Sequence, residues 1–419
     1  MVCIMRKWTY FRSFFFFFSI VGPGIISAIA DNDAGGITTF SVAGASYGYS
    51  MFWTIIPLAL LLIIVQEMCA RMGVVTGKGL ADLIRENVSL QLTVLLMIGL
   101  FIANFGTTVA EFAGIAAASQ IFGLNKYVVV LGSAVVVLFL IIRVNYKYLE
   151  RVFLALCLFY VTYILSGILA HPDWQTVGWS MITPAVQPLL NYWVILVGIL
   201  GTSITPWMQF YLQSSIVEKG IKISEYVYAK WEIILSGIIS MGISFFIMLA
   251  AAATLYPHGI HIETADQAAI ALEPFAGQLA SLLFAVGLFA AAFFGAFILP
   301  LSTAYYICEA FGWESGVNKK YHEAPKFYIV IVAMVVLSAA IVLIPSVPLI
   351  PLIIFSQVVN GLMLPFVLVV MLYLINKEKI MGEHANSAFY NFICWLATIL
   401  LIIVTMIMVG MTLWGFIQK

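Results

Sequence analysis

Charge is what this sequence has least of. Only 9% of its 419 residues are Asp, Glu, Lys or Arg, against 63% hydrophobic, whereas soluble domains carry about a quarter charged. So little charge excludes an ordinary water-soluble fold and places most of the chain in lipid. The 19 basic and 19 acidic residues cancel, so nothing points to a polyanionic partner such as nucleic acid. Histidine is scarce: His171, His258, His261, His322 and His384 all fall between the apolar runs. That leaves the membrane interior without the His members of a proton relay. Five cysteines (Cys3, Cys69, Cys157, Cys308, Cys394) show no CxxC spacing, so neither a zinc knuckle nor a disulfide framework is indicated. They read as packing residues. An intramembrane enzyme would need a nucleophile with its base, or a metal-ligand set, inside the apolar runs. Neither is found, so the chain is not read as an enzyme and no cofactor is expected.

Long hydrophobic runs are what is present. At about 20 apolar residues per crossing, spans fall near 15–45, 51–71, 92–121, 127–143, 149–170, 188–217, 229–255, 276–310, 326–345, 348–375 and 388–415. Every alternate connection is basic. One side collects Arg6, Lys7, Arg12, Arg71, Lys78, Arg85, Arg143, Lys147, Arg151, Lys219, Lys222, Lys230, Lys319, Lys320, Lys326, Lys377 and Lys379, which is 17 of the 19 basic residues. The excess of Lys and Arg marks the cytoplasmic face. A plasma-membrane protein is therefore expected, with a cytoplasmic amino terminus and an extracellular carboxy terminus. Trp53, Trp174, Trp179, Trp193 and Trp231 sit near span ends, as an interfacial belt requires; Trp207 is an exception.

The first and sixth spans carry Gly and Pro where a lipid-exposed helix should have neither. Five spans separate them, and an odd number of crossings per repeat inverts the second copy, the plan of many secondary transporters with a midplane site. The expected fold is all-α and integral to the membrane, one domain over 1–419. Repeat one covers about 15–170, repeat two about 188–375, and helix 11 at about 388–415 is additional. In the first span, Ala30-Asp31-Asn32-Asp33-Ala34-Gly35-Gly36 sets two carboxylates near the midplane, where a charge costs at least about 2.5–3.5 kcal/mol. Glycine eases unwinding, and unwound carbonyls must find partners away from water. A cation is such a partner. The sixth span matches with Gly198, Gly201 and Thr202-Ser203-Ile204-Thr205-Pro206-Trp207, where Pro206 removes an amide donor.

These residues bear a family resemblance. Gly22-Pro23-Gly24, followed nine residues later by Asp33, resembles the first helix of Nramp-type divalent metal transporters. The stretch Cys69 to Lys78, Tyr211-Leu212-Gln213-Ser214-Ser215, Ser356-Gln357-Val358-Val359 and Leu364-Pro365-Phe366 are similar to other segments of that family. The resemblance implies the LeuT-type fold, with two inverted five-helix repeats plus an eleventh helix, and helices 1 and 6 broken at the midplane. It further implies a divalent metal ion as substrate and no obligatory protein partner. Carried over residue by residue, the metal-binding aspartate falls on Asp33 and its companion carbonyl on Ala30. The amide ligand of typical members is replaced by Gly36. In helix 6 the usual methionine ligand falls on Thr205 and its companion carbonyl on Thr202. After Pro206 the alignment slips by one, leaving Trp207, Met208 and Gln209 in doubt, with Gln209 a candidate for the pathway.

The departures carry the sharpest expectation. A thioether favours soft transition metals, whereas carboxylate, carbonyl and water suit magnesium, calcium and manganese. Magnesium dehydrates reluctantly and keeps several waters while one or two carboxylates hold it. The pattern resembles the Nramp-related magnesium transporters, so hydrated Mg²⁺ is expected, with Mn²⁺ as the alternative. Gln357 and Asn360 would face the hydration shell from helix 10. Typical members carry two histidines on helix 6 and an Asp-x-x-Glu pair on helix 3. Here Gln213 takes the place of the second histidine, and Thr108 that of the acid, so Glu111 alone remains. Uncoupled transport is expected, because a divalent ion crossing about 100 mV gains about 4.6 kcal/mol, enough for roughly thousandfold accumulation. The rivals are a proton-coupled Mn²⁺ or Fe²⁺ importer and a sodium-coupled amino-acid symporter, whose carboxylate substrate Asp33 would repel.

Several residues keep two readings. Asp31 either lines the outer vestibule or pairs with a neighbouring helix. Glu111 is either a structural acid bonded to Thr107 or Thr108, or part of the permeation path. Glu67 and Arg71 suit a helix-end ion pair. Leu80, Leu83, Ile84 and Asn87 fit a short amphipathic helix. His258 and His261, near Glu263 and Asp266, are either an external metal site or an ordinary polar loop. Arg6, Lys7, Arg12 and the Phe14–Phe18 run, with Ala28-Ile29-Ala30 beyond, mimic a cleavable signal peptide. Because the apolar stretch runs on to about Ala45, we expect retention as a first span. Amino-terminal sequencing of the mature protein should find no start at Asp31.

Overall fold

The computed structural model describes residues 32–143, 159–317 and 319–417, and no strand occurs among them. The helices used below are α1 (Ala34–Tyr47), α2 (Ile55–Thr76), α3 (Leu80–Asn87), α4 (Leu90–Ile121), α5 (Lys126–Arg143), α6 (Tyr160–Leu169), α7 (Trp174–Ile182), α8 (Leu190–Ser203), α9 (Pro206–Glu218), α10 (Tyr226–Thr254), α11 (Ala280–Phe311), α12 (Pro325–Val342), α13 (Leu349–Ile375) and α14 (Ala388–Ile417).

Among the described residues nine stretches are long and apolar enough to cross a membrane. The stretch Ala34–Thr76 contains both the second half of the first expected span and all of the second. Tyr160–Leu169 is the described part of the fifth, a shorter apolar helix. The eleven expected spans are thereby all represented. The first half of span 1 and the first part of span 5 lie outside the described residues.

The breaks have local causes. α1 starts in mid-span at Asp33, whose backbone is extended and whose carboxylate accepts the Gly36 N–H, the usual chemistry of a helix N-cap. The sixth span divides into α8 and α9 at Ile204 and Thr205. Pro206 opens α9, at the one position where its missing N–H costs nothing.

Two helix groups surround the breaks. α10 packs along α1 and α2, and α9 along α2, while α4, α5, α11 and α12 pack on one another. α13 touches both groups, lying against α4, α8 and α1. Lipid tails are as apolar as leucine, so such helices adhere by close approach at small residues. A Cβ on Gly201 would sit 2.0 Å from the Gln357 carbonyl oxygen and 2.4 Å from the Gly361 nitrogen, and one on Gly361 would sit 2.3 Å from the Val197 carbonyl oxygen. α8 and α13 therefore touch backbone to backbone beside the break.

At the basic end the groups interlock. Arg71 pairs with Glu67 at 3.0 Å on α2, the expected helix-end pair. Glu67 also accepts from Tyr390 on α14 at 2.8 Å and from Tyr226 at the start of α10. α3 buries Leu80, Leu83 and Ile84 as its amphipathic pattern requires. It is tied to α11 by Arg85 donating to the Glu309 carbonyl at 2.6 Å. Just before α3, the Lys78 carbonyl accepts from Gln213 of α9 at 2.9 Å. Cys69, Cys308 and Cys394 are free and buried, as packing residues should be; Cys3 and Cys157 lie outside the described residues.

Gly201→Ala should cost about 1–3 kcal/mol through forced backbone separation, read as a lowered melting temperature in detergent. Gly242→Ala on α10, where an added Cβ meets nothing within 4 Å, should leave that temperature unchanged or higher.

Candidate functional site

The two breaks face each other across α13. Asp33 is buried and its Oδ1 accepts from the Gly36 N–H at 2.8 Å. The contact that Gly36 makes is thus with the aspartate itself, as a donor that orders the carboxylate. Next to it, Gly35 lies so close to α13 that an added Cβ would fall 2.0 Å from Gln357 Nε2, 2.6 Å from Gln357 Cδ and 3.0 Å from Asp33 Oδ1. Gly35 is therefore the gap that lets Gln357 reach the aspartate's neighbourhood.

Gln357 is held in turn. Its Oε1 accepts from Asn360 Nδ2 at 3.2 Å, its Nε2 donates to Ser356 Oγ at 3.2 Å, and Asn360 Nδ2 also donates to Thr107 Oγ1 of α4 at 2.8 Å. Asn360 therefore orients Gln357 and ties α13 to α4.

Glu111 lies one turn beyond Thr107 on α4. Its Oε2 accepts from the Ala34 N–H at 3.3 Å, and its carboxyl lies within hydrogen-bonding reach of the Asp33 carboxyl. This corrects one expectation. Thr107 and Thr108 do not bond Glu111; their hydroxyls donate to the Ala103 and Asn104 carbonyls one turn back. A threonine inside a helix bonds its own backbone when no outside acceptor is closer, which frees Glu111 to turn toward the first break.

The second break supplies hydroxyls. Thr202 and Thr205 are buried, and neither Oγ1 has a hydrogen-bond partner, nor does Trp207 Nε1. Buried polar groups ordinarily find partners, so the two threonine hydroxyls at this break are oxygens free to accept one. Met208, left in doubt by the alignment, has its thioether engaged: Gln66 Nε2 of α2 donates to Met208 Sδ at 3.0 Å. Gln209 donates to the Thr205 carbonyl at 3.3 Å and accepts from the Cys69 thiol at 3.6 Å, so it braces α9 against α2. Ala30 and Asp31 lie outside the described residues.

Asn32 is a participant the sequence pattern did not single out. It is fully buried, bonded to Ser240 and Ser244 of α10, and its carbonyl accepts from Tyr160 of α6. A polar residue inside an apolar span was the available signal, masked by the two aspartates beside it. Tyr160, next to an apolar run, carried none.

At the ends of α1 and α8 remote from the breaks, Val42, Ser46, Tyr47, Asn191, Val194 and Ile195 line a cavity of about 390 Å³ together with His261. Val42 is roughly 14 Å of helical rise from Asp33. The cavity is bounded by the same two helices that carry the breaks. His258 bonds the Thr254 carbonyl at 2.7 Å, and no cluster of three or more His, Cys, Asp or Glu occurs among the described residues.

A family model described as natural resistance-associated macrophage protein-like, Nramp, matches residues 24–410. The chain belongs to the Nramp family. Members of that family are transporters and not enzymes, and this Nramp chain is a multi-pass membrane protein that moves divalent metal ions. Among solved structures it is similar to a histidine-to-alanine mutant of the Eremococcus coleocola manganese transporter, at 20% identity over 96% of this chain and 88% of that chain, with a TM-score of 0.75. The same transporter in complex with an aromatic bis-isothiourea substituted compound matches at 20% identity, over 96% and 88%, with a TM-score of 0.74. Mhp1, a nucleobase-cation-symport-1 family transporter, matches at 12% identity over 94% and 92%, with a TM-score of 0.58. At such identities the likeness is one of fold, here the LeuT-type fold.

Gly35→Ala should test the geometry of this Nramp site directly. The Cβ would displace the flexible end of Gln357 and press on Asp33, so divalent-ion binding should weaken at least about tenfold while the melting temperature stays near wild type. Calorimetric titration and thermal unfolding on the same preparation check both halves.

Proposed function

We propose that this chain carries hydrated Mg²⁺, with Mn²⁺ as a second substrate, by alternating access across the plasma membrane. In this respect it resembles the Nramp-related magnesium transporters. The observation that carries the reading is the engaged thioether of Met208. That sulfur is turned toward Gln66 of α2, and the second break offers the ion oxygen from Thr202 and Thr205. The first break offers the Asp33 carboxylate, and Ala30 would add a carbonyl. Oxygen donors suit hard ions. Gly36, without a side chain, leaves room for water, and a magnesium ion held by one carboxylate keeps most of its shell. Gln357 would meet that shell from α13.

The basic face is assigned to the cytoplasm, with repeat one at about 15–170, repeat two at about 188–375 and α14 as the additional helix. The cavity beside His261 then lies on the outer side, where the ion would enter. With no histidine in any of the helices α1 to α14, we assign the driving force to the ion's own gradient and the membrane potential. A second reading is favoured by the placement of Glu111 at the first break, where it accepts from the Ala34 N–H: a second acid beside Asp33 could take up a proton as the ion binds, giving proton-coupled Mn²⁺ or Fe²⁺ import.

Equilibrium titration of Mg²⁺, Mn²⁺ and Ca²⁺ against the purified protein and Asp33→Ala, with uptake into proteoliposomes under a lumenal pH dye, tests the proposal. Expected are Mg²⁺ uptake without lumenal acidification and loss of binding in Asp33→Ala. Mn²⁺ entry without Mg²⁺ entry would overturn the magnesium assignment, and acidification in step with metal would establish the second reading.

A further inference from the structure

The backbone on either side of Asp33 is held by groups that do not belong to the proposed ligand set. Before it, the Asn32 carbonyl accepts from the Tyr160 hydroxyl at the start of α6. After it, the Ala34 N–H donates to Glu111 of α4. The Asn32 side chain makes a third attachment. Its Nδ2 donates to the Ser240 carbonyl at 3.2 Å and to Ser240 Oγ at 3.3 Å, while Ser244 Oγ donates to its Oδ1 at 2.9 Å. Ser240 and Ser244 stand one turn apart on α10, so the amide straddles that helix face and is satisfied at both ends. Asn32 has no exposed surface. Both peptide groups flanking Asp33 are thus anchored to different helices, and the carboxylate is left as the polar group of this stretch that can serve an ion.

We propose that Asn32 and Tyr160 are positioning residues for ion binding: they fix the unwound backbone so that the Asp33 carboxylate is oriented before the ion arrives. An aspartate at the end of a loose segment would have to be ordered at binding, at the expense of affinity; one already fixed does not. The same bond commits the Asn32 carbonyl to Tyr160. That bond fixes the direction of the peptide group leading into Asp33. The inference rests on the assignment of Asp33 as the ion-binding carboxylate.

The experiment titrates Mg²⁺ alone against the full chain in detergent, as wild type, Tyr160→Phe, Ser244→Ala, Tyr163→Phe and Asp33→Ala, with a melting curve for each without ion. Proteoliposome kinetics follow for Tyr160→Phe. Tyr163, one turn along α6 and also buried, controls for the loss of any buried hydroxyl from that helix. Expected is a Kd about tenfold weaker in Tyr160→Phe and a few-fold weaker in Ser244→Ala, each the effect of one lost hydrogen bond. Tyr163→Phe should bind as wild type, with melting temperatures comparable across the three. The transport KM of Tyr160→Phe should rise with little change in maximal rate. Wild-type affinity in both Tyr160→Phe and Ser244→Ala, or an equal loss in Tyr163→Phe, would overturn the positioning role. If Tyr160→Phe does not fold, Ser244→Ala decides alone. Retained Mg²⁺ binding in Asp33→Ala would instead strike the assignment beneath it, which separates the two failures.

Discussion

Inside a bilayer a peptide group that leaves the helix has no water to fall back on, and each one left unsatisfied costs several kcal/mol. This Nramp chain leaves the helix in mid-span at least at two places, and the architecture around them answers that constraint. At the first, Asp33 caps its own helix through Gly36, Tyr160 takes the Asn32 carbonyl, and Glu111 takes the Ala34 N–H. Satisfying the backbone therefore draws α4, α6 and α10 onto one point, and a carboxylate is left there. The second break is met with fewer groups: Pro206 removes one donor, and Ser203 donates back to Ile199 at 2.7 Å. Thr202 and Thr205 keep their hydroxyls unpartnered. The asymmetry is chemical. At the first break the described backbone groups beside Asp33 are bonded to other helices, while the second keeps two threonine hydroxyls without partners.

Small residues decide how near the breaks come to each other. Gly201 and Gly361 let α8 touch α13 backbone to backbone, and Gly35 lets Gln357 reach the aspartate. Gly295 of α11 leaves space for the Glu111 carboxyl, which lies 2.5 Å from where a Cβ would be. Packed interfaces of this sort have discrete arrangements and deform little between them. A transporter built on them changes state by moving one helix group against the other, with the basic-end ties of Glu67, Arg71, Tyr226 and Tyr390 and of Gln213 with Lys78 among the contacts such motion must exchange.

Much of this was legible in the chain. The breaks were visible because Asp, Gly and Pro contradict an apolar span, the helix-end pair because Glu67 and Arg71 are four apart, and α3 because Leu80, Leu83 and Ile84 share a face. Glu111 was visible as a polar group inside an apolar helix, and of its two readings the one that bonded it to Thr107 or Thr108 is the one the structure excludes. Its near neighbours Thr107 and Thr108 had their own backbone carbonyls within reach, a local bond that a distant acceptor cannot outcompete. Met208 was seen without its direction, since the turn after Pro206 sets which face of α9 it occupies, and that face proved to be Gln66's.

Hydropathy suffices to determine that the chain lives in lipid, and Asp, Gly and Pro inside apolar runs to show where its helices must break, because in lipid each exposed peptide group or charge carries its own local cost, residue by residue. Which residues meet at the breaks was decided only by the tertiary structure. Asn32 to Ser244 spans 212 positions and Asn360 to Thr107 spans 253. Whether such a pair meets depends on how closely whole helices pack, a property of the assembled bundle that no single segment carries.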